Sequence, residues 1–247
     1  MATLITLLTD FGTADSYVAE VKGVLLSRVH GAALVDITHQ VPPGDVRAAQ
    51  YILSRAWHRF PQGTVHLAVV DPGVGTERRA LAATAAGHHF VAPDNGLLSF
   101  LPAGAHYVAL PIPAQAAPTF HGRDVFAPAA GQLALGAALT HLGQTITDPY
   151  LAPLPTPRRE GAAVVGEVIY VDHFGTLISN IPGEQVAPGA RLKVGGTDVG
   201  TVHRTFGYVE REQLVAFVGS GGTVEIAVRE GSAARLLGVG VGAEVRT

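Results

Sequence analysis

Three aspartates stand where short apolar runs end or break: Asp10 after residues 3–9, Asp36 within 33–37, and Asp71 after 64–70. In an open α/β sheet, ligands bind just beyond the carboxyl ends of the strands. A single aspartate there ordinarily caps a helix or shapes a turn. Three in similar positions suggest a shared site instead. Asp10 and Asp71 are the stronger candidates, because nearby Gly12 and Gly73 let a ligand approach the backbone. The loop Asp71-Pro72-Gly73-Val74-Gly75-Thr76-Glu77-Arg78-Arg79 lacks the Lys-Ser/Thr ending of a phosphate-binding loop, and its glycines are wrongly spaced for a dinucleotide fingerprint. It reads either as a tight connection with solvated arginines or as a loop that folds Arg78 back onto Asp71 as a bidentate pair.

Phe120-His121-Gly122-Arg123-Asp124 precedes an Ala-rich stretch. Asp124 reads as the N-cap of a helix, with His121 in the entry loop, where a helix N-terminus favours anions. Asp94-Asn95-Gly96 reads as a structural turn. Further along, Asp172-His173-Phe174-Gly175 leads to Ser179-Asn180-Ile181, Phe206 sits in a polar loop, and Gly219-Ser220-Gly221-Gly222 ends a strand. A carboxylate, an aromatic ring and a Gly/Ser loop suit a flat base and an amino acid.

The elements that must position these residues alternate over the first half. Strands are expected at 3–9, 33–37, 64–70, 80–84, 89–92 and 106–109. Helices are expected at 16–30, at 45–59 with Asp45 as N-cap, and at 124–139. This order predicts an α/β domain over 1–152, with a mainly parallel sheet and flanking helices. Residues 153–162 hold Pro153, Pro155 and Pro157 and read as a linker. From 163 to 247 the pattern changes to short Val-rich strands between Gly and Pro turns, at 163–171, 190–194, 197–204, 213–218 and 223–228, with a short helix near 231–237. That pattern fits a small antiparallel barrel or sandwich.

Hydrophobic residues are 47% of the 247 and charged residues 15%, which excludes a disordered chain. A net charge of −3, with the basic residues scattered, argues against a nucleic-acid partner. The absence of cysteine removes disulfides, thiolate metal sites and a thiol nucleophile. The 11 histidines include no pair at metal-ligand spacing beside a third ligand, so no metal site is expected. No window holds the roughly 18 apolar residues of a membrane helix, and the start carries no basic leader. A cytoplasmic protein is the expectation.

Taken together, the motifs resemble the S-adenosylmethionine hydroxide adenosyltransferase family, relatives of the fluorinating and chlorinating enzymes that use the same substrate. The matching segments are Thr9-Asp10-Phe11-Gly12, Asp15-Ser16-Tyr17-Val18, Asp36-Ile37-Thr38-His39, Asp71-Pro72-Gly73-Val74-Gly75 with Arg78, and Ala92-Pro93-Asp94-Asn95-Gly96. Phe120-His121-Gly122-Arg123-Asp124, Asp172-His173-Phe174-Gly175 and Glu225-Ile226-Ala227 complete the set, in the family's order along almost the whole chain.

The resemblance implies an N-terminal α/β domain, a C-terminal β-barrel, and a homotrimer with active sites between subunits. It implies hydrolysis of S-adenosylmethionine to adenosine and methionine, by nucleophilic substitution at ribose C5′, with no cofactor. It places a catalytic triad on Asp71, Arg78 and His121, which the halogenases lack; Gly122 stands where the fluorinating enzymes present a serine. It places the ribose hydroxyls on Asp10, the methionine end near Asp15, Asp172 and Ser220, and the adenine against Phe206, near Thr176 and residues Val228 to Glu230. Tyr17 and Phe120 join the substrate-binding set. Two departures stand out: Thr176 replaces the family's usual asparagine, and Gly219 and Gly221 flank Ser220 where more polar residues are common.

The residue types suit this chemistry. Carboxylates match a sulfonium cation bearing a polyhydroxylated sugar. The leaving thioether is neutral and needs no acid, so positioning and desolvation can carry catalysis. Arg78, with a pKa above about 12, is no base. His121 is the natural proton acceptor or water orienter. Competing readings are a halide-using adenosyltransferase, a lyase releasing methylthioadenosine and a lactone, a non-catalytic S-adenosylmethionine or adenosine sensor, and a metal phosphoesterase built on Asp10, Asp71 and Asp94.

Overall fold

The run Leu-Ile-Thr-Leu-Leu-Thr forms strand β1 (Leu4–Thr9), buried at every residue after Leu4. In this computed structural model, residues 3–247 are described. Met1 and Ala2, part of the start read for a leader, lie outside the described residues. The chain divides into two units, one ending at Pro153 and one beginning at Leu154.

In the first unit, β1 is followed by α1 (Tyr17–Arg28), β2 (Ala33–Thr38), α2 (Val46–Ala56), β3 (Val65–Val69), β4 (Ala80–Ala85), β5 (His88–Pro93), β6 (His106–Leu110), α3 (Ala127–Ala134) and β7 (Gln144–Ile146). The sheet order is β2-β1-β3-β5-β4-β6-β7. The pairs β1–β2, β1–β3 and β3–β5 are parallel, and the pairs β5–β4, β4–β6 and β6–β7 are antiparallel. All the strands except β4 and β7 therefore run one way, giving the mainly parallel sheet expected from the strand–helix alternation. The chain leaves β1 for β2 on one side, then returns to β3 on the other. This reversal is a topological switch point, where a crevice opens beyond the strand ends.

The pleat sends alternate residues to opposite layers. Ile5, Leu7, Leu67 and Val69 pack with Val21 and Leu25 of α1 and with Phe126 before α3. On the other layer, Trp57 and Phe60, just after α2, lie against Phe90 at 5.7 Å and His66 at 5.7 Å. Asp45 caps α2, its carboxylate accepting from the Ala48 amide at 2.9 Å.

The helix expected at 124–139 differs in extent. One wide turn of i→i+5 type covers Gly122–Phe126, and α3 then runs from Ala127 to Ala134. Asp124 is not its N-cap: it lies within the wide turn, where its carboxylate accepts from the Ala117 amide at 2.9 Å. The helix stops early because Gly136 adopts a left-handed φ of 87° just beyond it. No local pattern marks strand β7, since its residues are mostly exposed and lack an apolar alternation.

The second unit holds β8 (Arg158–Glu160), β9 (Ala163–Val171), β10 (Leu177–Pro182), β11 (Arg191–Val194), β12 (Thr197–His203), β13 (Leu214–Val218), β14 (Thr223–Val228), α4 (Ala233–Leu237) and β15 (Glu244–Arg246). The pairing β9–β10 closes the order β10-β14-β13-β12-β11-β15-β9 into a seven-stranded barrel, with β8 beside β9 outside the ring. Of the sandwich and barrel left open by the strand pattern, the barrel is correct. All its pairings are antiparallel except β12–β13, which is parallel. Strand β8 follows directly on the prolines of the 153–162 stretch. Strand β10 escapes pattern reading because it buries Ser179 and Asn180; their polar groups are satisfied by the carbonyls of Val224 and Pro155, at 2.7 and 2.8 Å.

Candidate active site

The parallel register of β1 and β3 sets Thr9 opposite Val69. The chain therefore delivers Asp10 and Asp71 to the same edge of the sheet, at the switch point. There they line a cavity of about 240 Å³ with Phe11, Gly44, Phe120 and His121. The Asp10 carboxylate accepts from the Gly44 amide at 2.8 Å. Buried His39 braces this turn, its Nδ1 lying 2.8 Å from Thr9 Oγ1 and its carbonyl accepting from the Gly12 amide at 2.8 Å.

Asp71 and His121 line this cavity, whereas Arg78 is absent from its lining and reaches the site through its contacts with both. Arg78 Nε donates to Asp71 Oδ1 at 3.0 Å, and Nη2 donates to Oδ2 to complete a bidentate pair. Nη1 donates to the Arg79 carbonyl at 3.0 Å. Nη2 also lies 3.2 Å from His121 Nδ1. The pair is well shielded, with side-chain exposures of 8% for Arg78 and 5% for Asp71, so its attraction acts with little screening by water. Of the two sequence readings of this loop, the folded-back bidentate pair is the one realised. The loop bends at Gly75, φ 78°, where a Cβ would stand 2.7 Å from the Pro118 carbonyl oxygen. Only glycine lets the segment carrying Arg78 abut the segment leading to His121.

The electrostatics follow from that burial. It pushes the Asp71 carboxyl upward, opposed by the Arg78 guanidinium. It holds the His121 imidazole below 6.5, assisted by Arg78 and opposed by Asp71 and Asp124. Arginine only donates. The 3.2 Å contact therefore makes Nδ1 of His121 an acceptor, and the neutral ring carries its proton on Nε2.

An aromatic wall stands beside the triad. Phe11, Tyr17 and Phe120 meet edge to face, with centroids 5.4 to 6.2 Å apart. Gly122 packs under this wall: a Cβ there would approach Phe11 Cζ to 3.1 Å. Asp15 is exposed, in the turn before α1, and does not line the cavity. Asp36 lies within β2, pairing with Lys22 at 2.7 Å and His39 at 3.1 Å; it too is absent from the lining. Asp94 belongs to a structural network, its carboxylate accepting from Arg79 Nε and the Tyr150 amide, both at 2.7 Å. Among the described residues, no group of His, Asp or Glu is placed to hold a metal ion.

The second unit has its own groove, a cavity of about 770 Å³ lined by Asp172, Thr176, Phe206, Glu225, Val228 and Glu230, among others. Asp172 Oδ1 accepts from the amides of Phe174 and Thr176, at 2.9 and 2.8 Å, and so shapes the turn between β9 and β10. Phe206 leans on Phe217 at 4.5 Å yet stays 44% exposed, leaving its ring accessible. Ser220 sits in the β13–β14 turn and does not line this groove. Sequence reasoning missed Gly44 and Thr119 at the first cavity, since no local pattern links residue 44 or 119 to residue 10.

A switch-point cavity with a buried Asp–Arg–His cluster, on an α/β domain joined to a seven-stranded barrel, defines a two-domain protein with the layout of an enzyme. The family is set by comparison. Residues 5–143 match the SAM hydroxide adenosyltransferase N-terminal domain and residues 166–246 match its C-terminal domain, so the chain belongs to this family. It is 46% identical to a protein of Thermus thermophilus named (R)-S-adenosyl-L-methionine hydrolase, over 97% of each chain. It is 43% identical to the one so named from Salinispora tropica, over 98% of this chain and 96% of the relative. Among solved structures, an uncharacterized conserved protein from Thermotoga maritima aligns with a TM-score of 0.90 at 35% identity, covering 98% of each chain. Among the described residues, no helix is long and apolar enough to cross a membrane.

Proposed function

We propose that this protein hydrolyses the (R)-epimer of S-adenosyl-L-methionine to adenosine and L-methionine. The observation that carries this reading is that Asp71 and His121 share one cavity with Asp10 and are joined by Arg78, on a chain closely similar to hydrolases named for that substrate. A water or hydroxide oxygen attacks C5′ of the ribose. The new O–C5′ bond forms as the C5′–S bond breaks, and its electron pair neutralises the sulfonium. One water is consumed and one proton is released, so no acid, metal or cofactor is required.

Arg78 supplies positive charge for the developing hydroxide, and Asp71 holds the guanidinium in place. With Nδ1 facing Arg78, the His121 Nε2–H acts as a donor that orients the attacking oxygen, rather than as its base. Asp10 receives the ribose hydroxyls. Tyr17 and Phe120 wall the substrate and exclude water, which strengthens every polar contact inside.

The remaining substrate-binding set is Asp15, Asp172 and Ser220 for the methionine end, and Phe206, Thr176, Val228 and Glu230 for the adenine. Much of this set lies in the barrel's groove rather than the first cavity. The family resemblance implies a homotrimer in which the barrel of one subunit completes the site of the next, and we propose that assembly for this chain; sedimentation of the active protein as a monomer would rule this out.

Product analysis in ¹⁸O-water, with and without chloride, tests the activity. Labelled adenosine and methionine in both conditions are expected. A 5′-chloro nucleoside would assign a halogenase, methylthioadenosine with a lactone would assign a lyase, and saturable binding without product would assign a sensor.

A further inference from the structure

The residue next but one to His121 is Arg123, and its guanidinium joins two elements far apart in sequence. Nη1 donates to Glu20 Oε2 of α1 at 2.8 Å, across 103 residues. Nε and Nη2 donate to the two oxygens of Asp124 at 2.7 and 2.9 Å. Glu20 is itself held by the Ser16 hydroxyl at 2.7 Å, and Asp124 by the Ala117 amide at 2.9 Å. The guanidinium also lies over the Phe120 ring, 4.9 Å from its centroid. The chain from Ser16 to Ala117 thus spans the two segments that carry Tyr17 and the Phe120–His121 pair. Arg123 and Asp124 themselves belong to the wide turn Gly122–Phe126, a geometry often found at functional sites.

We propose that Arg123 is a positioning residue for the hydrolysis: by clamping α1 to the head of α3 across Phe120, it fixes the spacing between the aromatic wall and His121. The proposal rests on the activity proposed above and adds a determinant of its geometry. A surface ion pair adds little to stability, because water and salt screen it. Arg123 and Glu20 have side-chain exposures of 33% and 37%, so the clamp contributes alignment rather than folding energy. Alignment is where it matters, since displacing a reacting group by about 1 Å can cost on the order of a hundredfold in rate.

The clamp also governs charge near His121. The groups bearing on its imidazole are Arg78 and Asp71 from the β3–β4 loop, and Asp124 from the wide turn before α3. Asp124 is neutralised by Arg123. Without that partner, its carboxylate favours protonated His121 more strongly.

The test compares wild type with Arg123→Ala, Arg123→Lys and Glu20→Gln by steady-state kinetics, thermal unfolding and NMR titration of His121. Arg123→Ala is expected to lower kcat about ten- to a hundredfold, with its unfolding midpoint nearly unchanged and the His121 titration moved to higher pH. Arg123→Lys keeps the charge but loses the bidentate fork and flat stacking, so it should restore the titration and only part of kcat. Glu20→Gln should lower kcat less, and should add little when combined with Arg123→Ala. Unchanged kcat in folded Arg123→Ala, or a kcat loss that merely tracks unfolding, would overturn the proposal. Should wild type itself fail to turn over S-adenosylmethionine, the activity reading falls. The clamp is then judged by the NMR contacts between Phe120, Tyr17 and His121: their loss or displacement in Arg123→Ala supports it, and unchanged contacts overturn it.

Discussion

Arg78 Nη2 lies 3.2 Å from His121 Nδ1 while the same guanidinium grips both oxygens of Asp71. Since arginine has no acceptor, the histidine must present a lone pair at Nδ1 and its proton at Nε2. The ion pair thus selects the tautomer of its neighbour. Both side chains are also well shielded from water, so removing either charge leaves the other buried without its counter-charge.

Arg78→Met should therefore damage both fold and function. It leaves the Asp71 carboxylate buried without a counter-charge, which costs about 3–5 kcal/mol when one partner of such a pair is deleted. The double change Arg78→Met with Asp71→Asn should recover much of that stability and none of the turnover. Chemical denaturation separates the two effects; turnover in the double variant near wild type would remove the pair from the mechanism.

His121 must be neutral to accept from Arg78, and both burial and that arginine hold its pKa below 6.5. Protonation at Nδ1 would break the contact and set two cations side by side. The kcat/KM profile should accordingly rise with pH through a midpoint below 6.5 and stay level above it on account of this group. An acid limb centred above 6.5 would contradict the assignment.

His66 predicts a separate loss of stability in acid. It is buried in β3, bonded to Thr6 Oγ1 at 2.8 Å and to His88 at 3.2 Å. Burial first, then His88 and His89, depress its pKa to about 3. Below 6.5 the unfolded chain takes up a proton that the folded one refuses, so stability falls as pH drops from 6.5 toward about 3. His66→Phe, which can keep the ring contact with Phe90, should flatten that slope. Denaturant midpoints between those limits measure it, and an equal slope in the variant would show that other groups are responsible.

Much of the architecture was legible in local pattern. Buried runs such as Leu4–Thr9 and Val65–Val69 declare strands, Asp45 declares a helix start, and the shift to Val-rich segments after the prolines declares a second, β-rich unit. These are short-range signals, set by backbone preference and by the period of side chains along an element. They mislead where a local rule meets a distant partner. Asp124 has the composition of an N-cap, yet its carboxylate turns back to Ala117 and Arg123. Ser179 and Asn180 look too polar for the buried strand they occupy, because the carbonyls that satisfy them come from other segments.

The sequence by itself determined which residue types were available: strand-end carboxylates, a glycine-bearing loop with arginine, and a histidine before a helix. It also carried the family's motifs in order. Only the tertiary structure decided which of them meet. Asp71 and Arg78 join through a loop turned at Gly75, whereas His121 arrives from 43 residues beyond Arg78, and Asp36 falls away to Lys22 and His39. The reason is physical: periodicity encodes which face of an element is buried, but the register of β1 on β3 and the close packing of distant loops set which side chains share a cavity. Burial, in turn, is a property of that packing alone, and it is burial that gives His121 and Asp71 their altered ionisation.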